Sequence, residues 1–237
     1  MRFWAAFALL TCLQAAACGG VARPDAGGTA GGGCSEPALA TPDAGVFQAP
    51  AVGALGSYQV TFRNQCAQAV WPAWSSTGGL DNSIVDSAVW LPMPPGVERT
   101  VTVYGGVREV AFWGRTGCSF DATGRGGCET GECGAFMCNG APQNTTVFDL
   151  ELGFQGGYNL GLRVDGASCG VHECVANVRA CSAESAIMNA CGEAIACETV
   201  CDGPTSSCCP QPGSGCTGAH AENGAPDVGD LKITFCP

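Results

Sequence analysis

Tyr58-Gln-Val-Thr-Phe alternates apolar and polar side chains, and Thr100-Val-Thr-Val-Tyr and Val147-Phe-Asp-Leu-Glu-Leu repeat the same two-residue period. A period of two places successive side chains on opposite faces of an extended chain, so each segment predicts a half-buried β-strand. Gly-Gly, Pro-Pro-Gly and Asp-Gly steps punctuate the intervals, and this density of strands and turns predicts an antiparallel β-sandwich. Leu231-Lys-Ile-Thr-Phe-Cys236 is the last alternating segment and is expected to lie beside the first. One stretch reads differently. Ser182 can cap a helix over Ala183 to Ile195, with Glu184 in its first turn and Ile187, Cys191 and Ile195 at four-residue spacing. Gly192 weakens that helix, and the apolar stripe is expected to pack on a sheet. The expected fold is therefore all-β: an antiparallel β-sandwich with a small disulfide-rich lobe, over about residues 167–220, that contains one short helix.

Cysteine usage adds a compartment to this picture. The chain has 18 cysteines; setting aside Cys12 and Cys18, within and just after the amino-terminal apolar run, leaves 16. Most of these crowd between Cys118 and Cys216, with glycine in nearly every gap of the run Cys118 to Cys138, as tight turns between closely spaced bridges require. Such clusters point to disulfides formed in an oxidising compartment. A zinc reading fails because only two histidines, His172 and His220, accompany them. His172 lies between Cys169 and Cys174, whose expected oxidation removes the thiolates that a metal would need. No metal and no other cofactor is expected.

The amino terminus agrees. Arg2 precedes the apolar run Phe3 to Leu13, then Ala15-Ala16-Ala17 and Cys18, which reads as a signal peptide over residues 1–17. The apolar run is too short for a transmembrane helix. Cys18 after small residues resembles a bacterial lipobox, although Ala15 stands where leucine is usual. The expectation is lipidation at Cys18, with the protein secreted across the inner membrane and anchored to the outer membrane or cell surface. Residues 18–57 are Gly/Ala/Pro-rich, carry Pro-Asp-Ala-Gly twice, and cannot bury enough apolar surface to order themselves. They predict a tether reaching on the order of 30–35 Å. The formal charge of −11 becomes −12 once Arg2 is removed, which argues against nucleic acid and anionic membrane surfaces as partners. Membrane contact is expected only through the lipid, and the protein is expected to be a monomer.

From Tyr58 to Pro237 the chain resembles the thaumatin-like (pathogenesis-related, osmotin-type) family. Val60-Thr-Phe-Arg-Asn-Gln-Cys66 with Ala69-Val-Trp71 is similar to that family's first strand and cysteine. Phe112-Trp-Gly-Arg-Thr-Gly-Cys118 through Cys138 resembles its signature, with Glu132 where aspartate is usual and the Cys133–Cys138 gap one residue short. Thr145-Thr-Val-Phe-Asp149 and Ile233-Thr-Phe-Cys236-Pro resemble later strands. The resemblance implies the bridges Cys66–Cys236, Cys118–Cys128, Cys133–Cys138, Cys181–Cys197, Cys201–Cys208 and Cys209–Cys216. It leaves Cys34, Cys169, Cys174 and Cys191 without inherited partners, for which Cys174–Cys191 and Cys34–Cys169 are the pairs expected.

The resemblance also implies a cleft built from an Arg, a Glu and three Asp, held responsible for β-1,3-glucan contact or weak glucanase activity. Here the Arg position falls on Ala111, the Glu on Asp149, the first Asp on Asn159 and the second on Asp165. The third belongs to a stretch that this chain has largely lost; Asp227 or Asp230 could replace it only by accident. The cleft candidates are thus Asp149, Asn159 and Asp165, and the only catalytic candidates Asp149 and Asp165. Glycoside hydrolysis needs two carboxyl groups roughly 5–9.5 Å apart. Structural alternatives stand beside each: Asp165 as a turn former before Gly166, Asp149 as a solvent-facing strand residue, and Arg115 as a partner of loop carbonyls. Asn144-Thr145-Thr146 forms a glycosylation sequon, which is moot if the lipobox is real. Trp71, Trp74 and Trp90 are candidates for stacking on sugars, with Trp71 and Trp113 expected in the core and Trp74 and Trp90 on loops. The function expected is binding of polysaccharide or cell-wall glycan, β-1,3-glucan first, without efficient catalysis. The alternatives are a weak endo-β-1,3-glucanase using Asp149 and Asp165, or a non-catalytic scaffold for protein contacts.

Overall fold

A computed structural model describes residues 57–76, 91–104, 110–121, 123–134, 138, 140–142, 144–150, 152–167, 169–175, 178–198 and 229–237. The signal, the lipobox, most of the tether, Trp90, Asp227 and the cysteines at 18, 34, 201, 208, 209 and 216 lie outside these residues. The strands in chain order are β1 (Ser57–Asn64), β2 (Trp71–Ser76), β3 (Glu98–Tyr104), β4 (Val110–Arg115), β5 (Ser119–Phe120), β6 (Gly126–Gly127), β7 (Thr146–Asp149) and β8 (Gly153–Gly156). They continue with β9 (Leu162–Gly166), β10 (Gly170–Cys174), β11 (Ala186–Met188), β12 (Ala194–Cys197) and β13 (Leu231–Phe235).

Two sheets carry the fold. One has five strands in the order β10-β9-β13-β1-β3, and the other four in the order β2-β4-β7-β8. The first and last strands are neighbours and run parallel, Val60 opposite Leu231 and Asn64 opposite Phe235. Parallel pairing brings both strands to the same end together, so Cys66 and Cys236, just beyond, close a disulfide with a Cα–Cα distance of 5.0 Å. All other pairings within these sheets are antiparallel.

Contacts between rings show which faces meet. Phe62 of β1 packs edge-on to Phe112 of β4 at 6.0 Å, and Phe148 of β7 sits 5.4 Å from His172 of β10. Phe62, Phe112 and Phe148 are completely buried, as are Val60, Leu162, Val164, Ile233 and Phe235. These alternate residues form the core between the sheets, and their neighbours in sequence necessarily face outward. Gly114 permits a close approach between the sheets: a Cβ there would lie 3.0 Å from both Phe235 and Val70. The all-β sandwich read from the alternation is the fold.

Two local expectations need correction. The alternation over 147–152 overruns its strand, because β7 ends at Asp149, whose Oδ1 accepts the Leu152 backbone N–H at 2.9 Å and turns the chain. The helix expected over 183–195 is a hairpin of β11 and β12. Ser182 does cap a single turn, accepting from Ser185 N–H at its hydroxyl and from Ala186 N–H at its carbonyl. The chain then reverses at Asn189, whose Oδ1 accepts from Cys191 N–H and Glu193 N–H, and Gly192 takes a left-handed φ of 75°. The disulfide between Cys181 and Cys197 explains why. A helix over 183–195 would be about 20 Å long and would hold the Cα atoms of those cysteines far beyond the roughly 7 Å that a disulfide can span. The lone short helix among the described residues is a 3₁₀ turn, Val178–Ala180.

Candidate functional site

The outward face of the four-stranded sheet can be read as rows across its strands. One row is Ser75, Ala111, Asp149 and Gly153; the next is Ala73, Trp113, Val147 and Gln155. Beyond these lie Trp71 and Arg115, again directly paired. The loop that follows β4 folds back over this end as a roof, tied by Cys118–Cys128 and Cys133–Cys138. Trp113 Nε1 donates to the Gly131 carbonyl at 3.2 Å, and the Arg115 guanidinium lies 5.4 Å above the Phe120 ring. Burial lowers the pKa of Arg115 to about 10, against the opposing pull of the Glu132 charge. Glu132 itself accepts from the backbone N–H groups of Cys128 and Gly134, which knits the roof together.

Asp149 is half-buried on this face, with Ala111 as its cross-strand neighbour. The position that the resemblance assigns to arginine is therefore adjacent to Asp149 in space, and here carries only a methyl group.

Asn159 takes a different part. The residue is 7% exposed and its side chain is engaged: Nδ2 donates to Gly114 O at 2.8 Å and Thr130 Oγ1 at 2.9 Å, while Oδ1 accepts from Thr146 N–H at 3.2 Å. It is a wedge between β4 and β7, standing where their ladder would continue, and it offers nothing to a ligand.

Asp165 lies elsewhere. It pairs with Val171 and Lys232 in register, on the outward face of the five-stranded sheet, and sits within β9, not in the turn before Gly166. Both of its oxygens accept from Arg163, from Nε and Nη2 at 2.9 Å each, and Arg163 also faces Glu173 at 3.5 Å. Sequence reasoning missed Arg163, although opposite charges two apart on an alternating strand share one face and could have revealed it.

The structure thus puts Asp149 and Asp165 on opposite outer faces of the sandwich. The two sheets of a sandwich are about 10 Å apart, so two outward carboxylates are separated by more than the roughly 5–9.5 Å of a glycosidase pair. Among the described residues no group of three or more His, Cys, Asp or Glu could hold a metal ion. Trp71 and Trp74 are 1% and 5% exposed, so neither presents an indole to a sugar; Trp74 lies in β2 opposite Phe112, not on a loop. Disulfides also engage Cys169, Cys174 and Cys191.

Two sheets packed face to face, first and last strands sewn together and a bridged loop roofing one face define a disulfide-stabilised β-sandwich domain of the kind matured outside the reducing cytoplasm. The sequence profile of the thaumatin family matches residues 64–228, and the chain belongs to that family. Pathogenesis-related thaumatin-like protein 3.8 of Cryptomeria japonica is 29% identical over 214 residues, spanning 77% of this chain and 89% of the relative. Thaumatin-like protein 1 of Pyrus pyrifolia is 32% identical over 193 residues, spanning 73% and 74%. Among solved structures, the thaumatin-like xylanase inhibitor TLXI aligns with 75% of this chain and 99% of its own at 20% identity, with a TM-score of 0.40.

Proposed function

We propose that this thaumatin-family domain is a surface-tethered binding module for a cell-wall polysaccharide, β-1,3-glucan first, and that it does not hydrolyse its ligand. The supporting observation is the opposed placement of Asp149 and Asp165, which keeps these two carboxyl groups from facing each other across one groove. Asn159, neutral and spent on holding two strands, cannot stand in. An acyl chain on Cys18 and the Gly/Ala/Pro-rich tether would hold the module at the membrane while letting it reach the wall. Contact through the row Ser75–Asp149–Gly153 would rest on hydrogen bonds, because the tryptophans of β2 and β4 are buried. Their burial also favours a second reading, in which the domain contacts protein.

Pull-down of the oxidised protein on insoluble β-1,3-glucan, chitin and cellulose separates the two: retention on glucan is expected, and retention on none of the three favours the protein partner. Reducing-sugar release is expected to be absent both from the parent and from Asp149→Asn with Asp165→Asn. Release by the parent that the double variant loses would overturn the non-hydrolytic reading.

A further inference from the structure

Three polar side chains lie in one row beneath the bridged roof. Trp71 is the cross-strand partner of Arg115. The β4–β7 register runs from Ala111↔Asp149 to Trp113↔Val147, and continuing it by two residues brings Thr145 opposite Arg115. The ladder itself stops short because the Asn159 amide is interposed between Gly114 O and Thr146 N. The strands are therefore held a side-chain amide apart just where Arg115 and Thr145 face each other. Trp71 is 1% exposed, and Arg115 and Thr145 are wholly buried. Among the described residues Trp71 Nε1 and Thr145 Oγ1 meet no hydrogen-bond partner. Groups of this kind are rarely left so in a folded protein, since each would destabilise it. Finding two of them flanking one buried cation is a pattern that points to a bound species.

We propose that this row is an internal binding site for a small monovalent anion of halide size, held by Trp71 Nε1–H, the Arg115 guanidinium and the Thr145 hydroxyl. The chemistry selects the class. An indole and a guanidinium can only donate, a hydroxyl can turn its proton inward, and the cation supplies the charge. Glu132 bears on the same arginine from the roof, where its oxygens also accept from the Cys128 and Gly134 N–H groups. A gap set by one amide, closed over by a stapled loop, fits a monatomic ion better than a sulfate or phosphate. Bound there, the ion would join β2, β4 and the start of β7 under the roof.

Crystals of the oxidised protein grown with bromide, examined at the bromine absorption edge, test this directly. An anomalous peak among Trp71, Arg115 and Thr145 is expected; density for water alone there overturns the proposal. Thermal unfolding gives an independent reading. The midpoint in sodium chloride is expected to exceed that in sodium methanesulfonate of equal ionic strength by about 2–4 °C, and Trp71→Phe and Thr145→Val are expected to abolish the difference. Equal midpoints for the parent in the two salts, or a difference that survives in both variants, would also overturn it. Neither outcome bears on polysaccharide retention, which uses a different part of the face.

Discussion

Asn159 shows how one atom type decides whether a residue belongs to a site or to a scaffold. Its amide donates to Gly114 O and Thr130 Oγ1 and accepts from Thr146 N–H, a pattern that needs a donor and an acceptor on the same planar group. A carboxylate cannot donate. Asn159→Asp, which restores the residue type expected in the family at this position, would set negative charge against the Gly114 carbonyl. The substitution is expected to destabilise the domain by about 2–3 kcal/mol, read as a lowered urea midpoint, and to create no hydrolase activity. An unchanged midpoint would mean that the wedge is dispensable. Sequence comparison could place Asn159 at a family site position, but only the partners of its amide show what it does. The same holds for Asp165, where a carboxylate of the expected type survives and spends both oxygens on Arg163.

At the scale of elements, the segment from Ser182 to Cys197 carries the plainest lesson. Four-residue spacing and a capping serine predicted a helix, while the family resemblance implied a bridge between the cysteines at its ends, and the two cannot coexist over that length. The covalent constraint prevails, because a disulfide leaves no freedom in end-to-end distance whereas helix propensity amounts to tenths of a kcal/mol per residue. The small β5–β6 hairpin makes a different point, about pH. Asp121 accepts from the Thr123 hydroxyl and from the Thr123 and Arg125 backbone N–H groups, closing the turn. The Thr123 hydroxyl bond first, then the backbone bonds and the Arg125 charge, hold this exposed carboxyl below its usual range. Its folded pKa is depressed, so its contribution is present above the unfolded value of about 4 and disappears as pH falls through the folded one. Amide protection at Thr123 and Arg125 is expected to drop over that acid window, followed by hydrogen exchange, and Asp121→Ala is expected to remove the step. Protection that stays constant through the window would show that the turn does not depend on the carboxylate.

For the molecule as a whole, the decisive join is that of its ends. Cys66 and Cys236 are separated by 170 residues and close the domain on itself. In the chain-entropy view a loop of that length contributes about 5 kcal/mol, a large share of the roughly 5–15 kcal/mol that keeps a domain folded. Cys66→Ala with Cys236→Ala is expected to leave the domain marginal at physiological temperature, seen as a lowered or lost circular-dichroism melt; an unaltered melt would show that the β1–β13 pairing suffices. Strand alternation, cysteine spacing and the signature around Trp113 were legible along the chain, because burial with a period of two and covalent bridges leave local marks. The order of residues alone therefore settles the sandwich, its oxidised chemistry and its kinship. Which side of the sandwich each carboxylate faces emerges only once the strands have paired and packed. A strand's outward direction follows from its register against distant strands, and a shift of one residue turns every side chain to the other face. No local pattern records that parity for Asp149 and Asp165 together, and on it rests whether two acids form a site or stand back to back.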